Sequence, residues 1–181
     1  MTAGVPKVDP VKLMAVAPIG TALPTALAEA LDAAFVDVGE ISEDSLTEAL
    51  NTANATIKNA RGTVVRTVNT EFNPTFEITP LEENEATLLL YYSGSDLATS
   101  GTGSKLTLKP VQSGDRRVVV IDTLDGDEVT RYVLPNAEVT DRGNREHKNA
   151  DAAKFPLTIT AYADDTGAHA YIYYPEDYTS A

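Results

Sequence analysis

"RGTVVRTVNTEFNPTFEITPLEENEATLLLYYSG", residues 61–94, decides how this chain is read. Val64, Val68, Phe72, Phe76 and Ile78, all at even positions, are apolar, whereas Thr67, Asn69, Glu71, Asn73, Thr75, Glu77 and Thr79 are polar; Val65 and Arg66 break the pattern. Side chains on a strand point alternately to its two faces, so a two-residue period predicts a half-buried ribbon. A two-residue hairpin loop would reverse the parity, because the residues flanking it pair on one face. The parity instead runs through Asn73-Pro74, which predicts one long bent strand, or two strands joined by an odd-length kink. Pro74 has no N–H to give a ladder and places the bend at an edge or a bulge. The period then changes. Thr79, Pro80 and Glu82 read as N-cap, N1 and N3 of a helix, with Asn84 as the alternative cap, so a helix is expected over 80–93, closed by Gly94. Its far end, "ATLLLYY", is apolar all round and should be covered on more than one side.

Upstream the signals weaken. Residues 1–20 hold three prolines and little periodicity, and are expected to form an extended arm outside a single domain spanning 21–181. "LPTALAEALDAAF", 23–35, has good helix formers with Thr25 as N-cap; a short helix and an extended segment held by partners both stay open. "FVDVGEISED" reads as a strand with a bulge at Gly39. Residues 42–62, rich in Asn and Thr, read as a long functional loop with short strand pieces.

Downstream, "SGSDLATSGTGSK" reads as a flexible linker, and "KLTLKPV", "RRVVVIDTL", "EVTRYVL", "AEVT", "FPLTITAYA" and "AHAYIYY" as strands. Asp125-Gly126 and "DDTG" at 164–167 mark hairpin turns, and 141–154 a charged loop. The expected architecture is mainly β, an antiparallel sandwich or barrel with one flanking helix.

The totals bound the chemistry. At 181 residues the chain suits one ordinary domain. It carries 14 basic and 27 acidic residues, a net charge of −13, which disfavours wrapping nucleic acid. With no cysteine, thiolate catalysis, disulfides and Cys-bound zinc are excluded. No apolar run reaches the ~18 residues of a membrane-spanning helix, and a soluble cytoplasmic product is expected. "GTGSK" at 101–105 lacks the phosphate-loop spacing. Asp122, Asp125, Asp127 and Glu128 lack calcium-loop spacing and read as a hairpin instead. His147 and His169 sit in no nucleophile or metal pattern. Asp164-Asp165 reads as a turn before an acid/base pair, and Tyr162, Tyr171, Tyr173 and Tyr174 as interface packing at least as readily as a sugar-binding strip. No catalytic, cofactor or metal residue is therefore assigned.

"APIGTALP", "AAFVDVGEISEDSLTEA" and above all "VVRTVNTEFNPTFEITPLEENEATLLLYYSG", within residues 17–94, resemble the major tail tube proteins of long-tailed, non-contractile bacteriophages. The resemblance implies a β-sandwich subunit, six of which form a ring whose inner sheets merge into a barrel; rings stack into a tube that carries DNA from capsid to host. Two alternatives come from other classes or components: a monomeric carbohydrate-binding β-sandwich, and a contractile-tail inner tube or tail-end adaptor. Under the tube reading Thr67, Asn69, Glu71, Thr75 and Glu77 face an acidic lumen, and Val64, Val68, Phe72, Phe76 and Ile78 face the core. Contacts between subunits are expected at Val5 and Val8 in the arm, at Ile41, Leu46 and Ile57 in and beside the 42–62 stacking loop, and at Leu89 and Tyr91 on the helix. The implied partners are further copies of the chain, a tape measure protein inside the lumen, tail terminator and tail-tip proteins, and double-stranded DNA that passes without specific binding. No membrane partner or cofactor is implied, and the place is the virion tail, assembled in the host cytoplasm.

Overall fold

The structure is a computed structural model that describes residues 11–42, 46–125, 128–145 and 153–175. Within them the chain runs β1 (Val11–Pro18), β2 (Val36–Asp37), β3 (Thr47–Lys58), β4 (Val64–Ile78), α1 (Glu85–Tyr91), β5 (Asp96–Ser100), β6 (Gly103–Thr107), β7 (Arg117–Asp125), β8 (Glu128–Arg142), β9 (Leu157–Ala161) and β10 (Tyr171–Tyr173). Every pairing among these strands is antiparallel. The main sheet is ordered β2-β1-β7-β8-β9-β4-β3, with β10 also on β8, and it does not close into a barrel.

β8 turns this one sheet into a sandwich. Its residues up to Ala137 pair with β7, and those from Ala137 onward pair with β9. At the changeover lies a register shift opposite Arg117–Val119, where Pro135 withholds its ladder donor. In a flat sheet Phe76 of β4 and Tyr132 of β8 would stand roughly 25 Å apart, two strands across and seven residues along. Their ring centroids are 6.0 Å apart, so the sheet folds over on itself at β8. Met14, Val16, Val119, Ile121 and Leu134 of one layer share a core with Phe76, Ile78, Leu157 and Ile159 of the other, and Leu90 of α1 joins them.

Several expectations give way here, each for a physical reason. Residues 11–18 are not an arm but a central strand: Met14, Ala15, Val16 and Ala17 are all buried. A strand covered on both faces shows an unbroken apolar run rather than an alternation, and Pro10 and Pro18 lie just outside and at the end of it. Residues 23–35 form no helix. Instead the Thr25 N–H and hydroxyl both donate to Glu29 at 2.6 and 2.8 Å, and the Arg131 guanidinium donates to the carbonyls of Ala26 and Glu29. The segment is thereby held as a strap over β7 and β8, on the face that carries Val118, Val120 and Val133.

The helix starts later than expected and is shorter than 80–93. Pro80 bridges Ile41 and its carbonyl accepts from the Phe155 N–H, which keeps that segment extended. Asn84 takes the cap because it does two jobs: Oδ1 accepts from the Thr87 N–H at 2.9 Å and Nδ2 donates to the Val38 carbonyl at 2.8 Å. The expected linker around 96–107 is the β5–β6 hairpin, and "EVTRYVL" and "AEVT" are one strand, β8. The 42–62 loop is mostly β3, described next.

Candidate functional site

β4 is bonded to β9 only over Thr75–Ile78. From there toward Val64 its sole neighbour among the described residues is β3, and β3 has no strand on its outer edge. The two strands therefore leave the sandwich as a ribbon about 30 Å long. Its tip is built by Asn59, whose side-chain oxygen accepts from the N–H groups of Arg61 and Thr63 at 3.0 Å, while Gly62 supplies the positive φ of 77° that the turn needs.

The register of the ribbon shows which side chains share a face. Pairing runs Phe72 with Thr52 and Glu71 with Ala53, then jumps to Asn69 with Asn54, leaving Thr70 as an extra residue. The Thr70 hydroxyl donates to the Ala53 carbonyl at 3.0 Å and holds this bulge. An extra residue on one strand inverts its parity against its partner. Glu71, Thr75 and Glu77 lie on one face with Ala49, Asn51 and Ala53, whereas Thr67 and Asn69 lie on the opposite face with Asn54 and Thr56. The five residues expected on one polar face are thus split; the trace in the sequence is Thr70 itself, a polar residue at an even position that makes three polar residues in a row with Asn69 and Glu71.

The apolar set divides too. Phe76 and Ile78 are in the core, Val68 is half-buried, and Phe72 and Val64 are 39% and 50% exposed. Assigning Val64 and Phe72 to the core is corrected: the sandwich ends before the ribbon does. Among the described residues the aromatic partner of Phe72 is His169, the two rings nearly perpendicular with centroids 5.0 Å apart. Of the residues assigned to subunit contacts, Ile41, Leu46 and Tyr91 pack against the core of their own subunit. Ile57 is 54% exposed on the ribbon, Leu89 is half-buried, and Val5 and Val8 lie outside the described residues.

A polar wall continues the Glu71-Thr75-Glu77 face across the sandwich. Thr75 pairs with Thr160 and Glu77 with Thr158 on β9, and Glu138 of β8 pairs with Thr160. The hydroxyls of Thr140 and Thr160 are 2.8 Å apart. Alternate residues, Ile159 and Val139, point the other way to the core. The "LTIT" alternation at 157–160 carried this signal, but it could be joined to β4 only once the pairing was known. Glu138 is paired with Arg116 at 3.0 Å; Glu71 and Glu77 have no ion pair among the described residues.

The remaining chemistry is structural. Arg131 and Asp122 form a buried bidentate pair, both bonds 2.8 Å. The hydrogen bond from the guanidinium to Asp122 holds the Arg131 pKa above its usual value. The Asp164 carboxylate accepts from Tyr171, Thr166 and the Ala168 N–H, which closes the 164–168 turn and holds its pKa below the usual carboxylate range. Two of the four tyrosines are engaged within the subunit: Arg116 lies 3.4 Å over the Tyr162 ring and Tyr171 is tied to Asp164, while Tyr174 is 45% exposed. His169 sits before β10 rather than in a strand, with Nδ1 3.0 Å from the Ala161 carbonyl. "GTGSK" lies in the β5–β6 hairpin, and His147 and Asp127 lie outside the described residues. No cluster that could hold a metal ion occurs among the described residues.

A family model described as phage tail tube protein matches residues 13–181. Among curated proteins none matches. Among solved structures the chain is similar to the tube terminating cap of the anti-feeding prophage, determined by cryo-electron microscopy, at 11% identity and a TM-score of 0.45, covering 97% of this chain and 94% of that one.

Proposed function

The chain belongs to the phage tail tube protein family, and from that premise we propose that it is the repeating subunit of the tail tube of a long-tailed phage with a non-contractile tail. It is a structural protein of the virion tail. In the proposed assembly six copies close a ring, and rings stack into a tube around a water-filled bore. The observation that carries this reading is the polar wall of β8, β9 and β4, which Asn51, Asn73 and Glu71 continue onto the base of the unsupported β3–β4 ribbon. Such a wall suits a wetted lumen, and the unpaired β3 edge suits joining to a neighbour's sheet. A heterologous contact that closes sideways and repeats along an axis builds a tube.

Glu71, Thr75 and Glu77 then face the bore, and Thr67 and Asn69 do not. Unpaired carboxylates on that wall repel phosphate, so double-stranded DNA slides rather than binds. The subunit needs no catalytic group or cofactor for this: it supplies shape, charge and edges. A tape measure protein would occupy the lumen during assembly in the host cytoplasm, with terminator and tip proteins on the two ends. Glu71→Lys combined with Glu77→Lys is expected to leave tubes intact and slow DNA ejection at least severalfold. Ejection at the normal rate from normally assembled tails would refute the lumen assignment.

A further inference from the structure

Where the end of α1 meets β8, the charged side chains are paired with one exception. Asp115 accepts from the Arg117 guanidinium at 3.1 Å and from the Ser93 hydroxyl at 3.0 Å. Glu138 is paired with Arg116 at 3.0 Å and accepts from the Gly114 N–H at 2.7 Å. Arg142, the last residue of β8, has no ion pair among the described residues. Its guanidinium donates instead to two carbonyls, that of Val139 at 3.1 Å and that of Leu90 at 3.3 Å. The second bond meets a need of the helix, because the last carbonyls of α1 have no N–H partner within it and its final turn holds no basic residue. Nε is left over, a buried donor with no hydrogen-bond partner among the described residues. Burial pushes the Arg142 pKa down, against the pull of the Asp115, Glu138 and Asp141 charges. A donor on a buried cation is costly to leave bare, so it calls for an acceptor.

Arg142 lines a cavity of about 10 Å³, together with the apolar side chains of Val119, Ala137 and Ile159 and the carboxylates of Asp115 and Glu138. A single water needs on the order of 10–15 Å³ and two to four polar partners. We propose that this cavity binds one structural water, which accepts from Arg142 Nε and donates to the Asp115 carboxylate. Asp115 has the oxygen for it, since its bonds from Ser93 and Arg117 all go to Oδ2 and none to Oδ1. Both Glu138 oxygens are engaged already, Oε1 by Gly114 and Oε2 by Arg116. The mixed charge of the wall selects water over an ion. Arg117 and Arg142 oppose a cation and the two carboxylates oppose an anion, whereas water both accepts and donates. The bridge joins the guanidinium that closes α1 to the carboxylate that holds Ser93, so the helix end, the segment leading into β7 and the end of β8 are tied at one point. All its partners belong to one subunit, and the site stands or falls apart from the tube reading.

The test is a structure of the full chain, by crystallography or cryo-electron microscopy, at a resolution that shows ordered waters. One water is expected at about 2.7–3.2 Å from both Arg142 Nε and an Asp115 carboxylate oxygen. An empty cavity, a halide in the water's place, a direct bond from Nε to a carboxylate, or a water that leaves either group unbonded would each overturn the proposal. Oxygen-17 relaxation dispersion of the solvent gives a second measurement in solution. Ala137→Val pushes two methyl groups into the cavity, and with its circular dichroism unchanged it is expected to lose one long-lived water relative to the unsubstituted chain. Equal numbers of long-lived waters in the two would contradict the site. Arg142→Met removes the donor and is expected to lose the same water, so that adding Ala137→Val to it costs none further; a further loss would place the displaced water away from Nε and refute the bridge.

Discussion

β4 and β8 are both 15 residues long, and each contains a proline, yet they spend their length differently. β8 has a partner along nearly its whole course, β7 up to Ala137 and β9 from there on, with β10 on its other edge over Arg131–Val133, and its Pro135 sits where the strand bends to fold the sheet into two layers. β4 is bonded on both edges only over Thr75, Phe76 and Glu77, and everything before them runs out into solvent with β3 as its one partner strand among the described residues. One long strand makes the subunit; the other reaches beyond it. A 30 Å two-stranded ribbon with exposed leucine, isoleucine and phenylalanine is poorly stabilised alone and exposes a pairing edge, so its stability must come from what it joins.

That contrast can be broken first at the buried pair on β8. Arg131→Ala strands the Asp122 carboxylate and frees the carbonyls of Ala26 and Glu29, and is expected to lower unfolding stability by about 3–5 kcal/mol in a urea titration. Phe76→Ala, in the core four residues from Phe72, is expected to cost about 3 kcal/mol or more. Phe72→Ala in the unassembled subunit should cost under ~1 kcal/mol and act on assembly instead. If the two phenylalanines proved equally costly in the monomer, the ribbon would be part of the fold and the contrast would fail. Asn84→Ala removes both the α1 cap and its bond to Val38, and about 1–2 kcal/mol is expected in the same titration.

The smallest effect lies at the 164–168 turn. The Asp164 pKa is depressed in the folded chain by donors from Tyr171 and Thr166. Its contribution is therefore present above the ordinary carboxylate range and is lost as pH falls through the folded value. Hydrogen exchange at Ala168 is expected to quicken in strong acid and to become insensitive to that titration in Asp164→Asn; an unchanged acid response would discard the assignment.

How much of this was legible varies with burial. The core end of β4, the β7–β8 pairing and the Asp164 turn were readable because each pairs an apolar pattern with turn chemistry. β3 was not, since Asn, Thr and Ala wetted on both faces leave no period to detect, and only its partner makes it a strand. The strap at 23–35 has helix-forming residues, but Arg131, more than a hundred residues away in sequence, takes two of its carbonyls. The polar wall was half visible: β4 supplied Glu71, Thr75 and Glu77, while the bulge that removes Thr67 and Asn69 from it rests on one extra threonine.

The β1 strand also sets how the ends can be probed. Deleting residues 1–16 would remove Met14, Ala15 and Val16 from the core, so a truncation that tests assembly alone must stop at residue 10.

The most direct measurement is negative-stain electron microscopy of the purified full chain, concentrated at neutral pH. A tube subunit forms hollow filaments of constant width and variable length. A field of dispersed single particles, at concentrations where the folded chain is shown by sedimentation to be monomeric, would contradict the account.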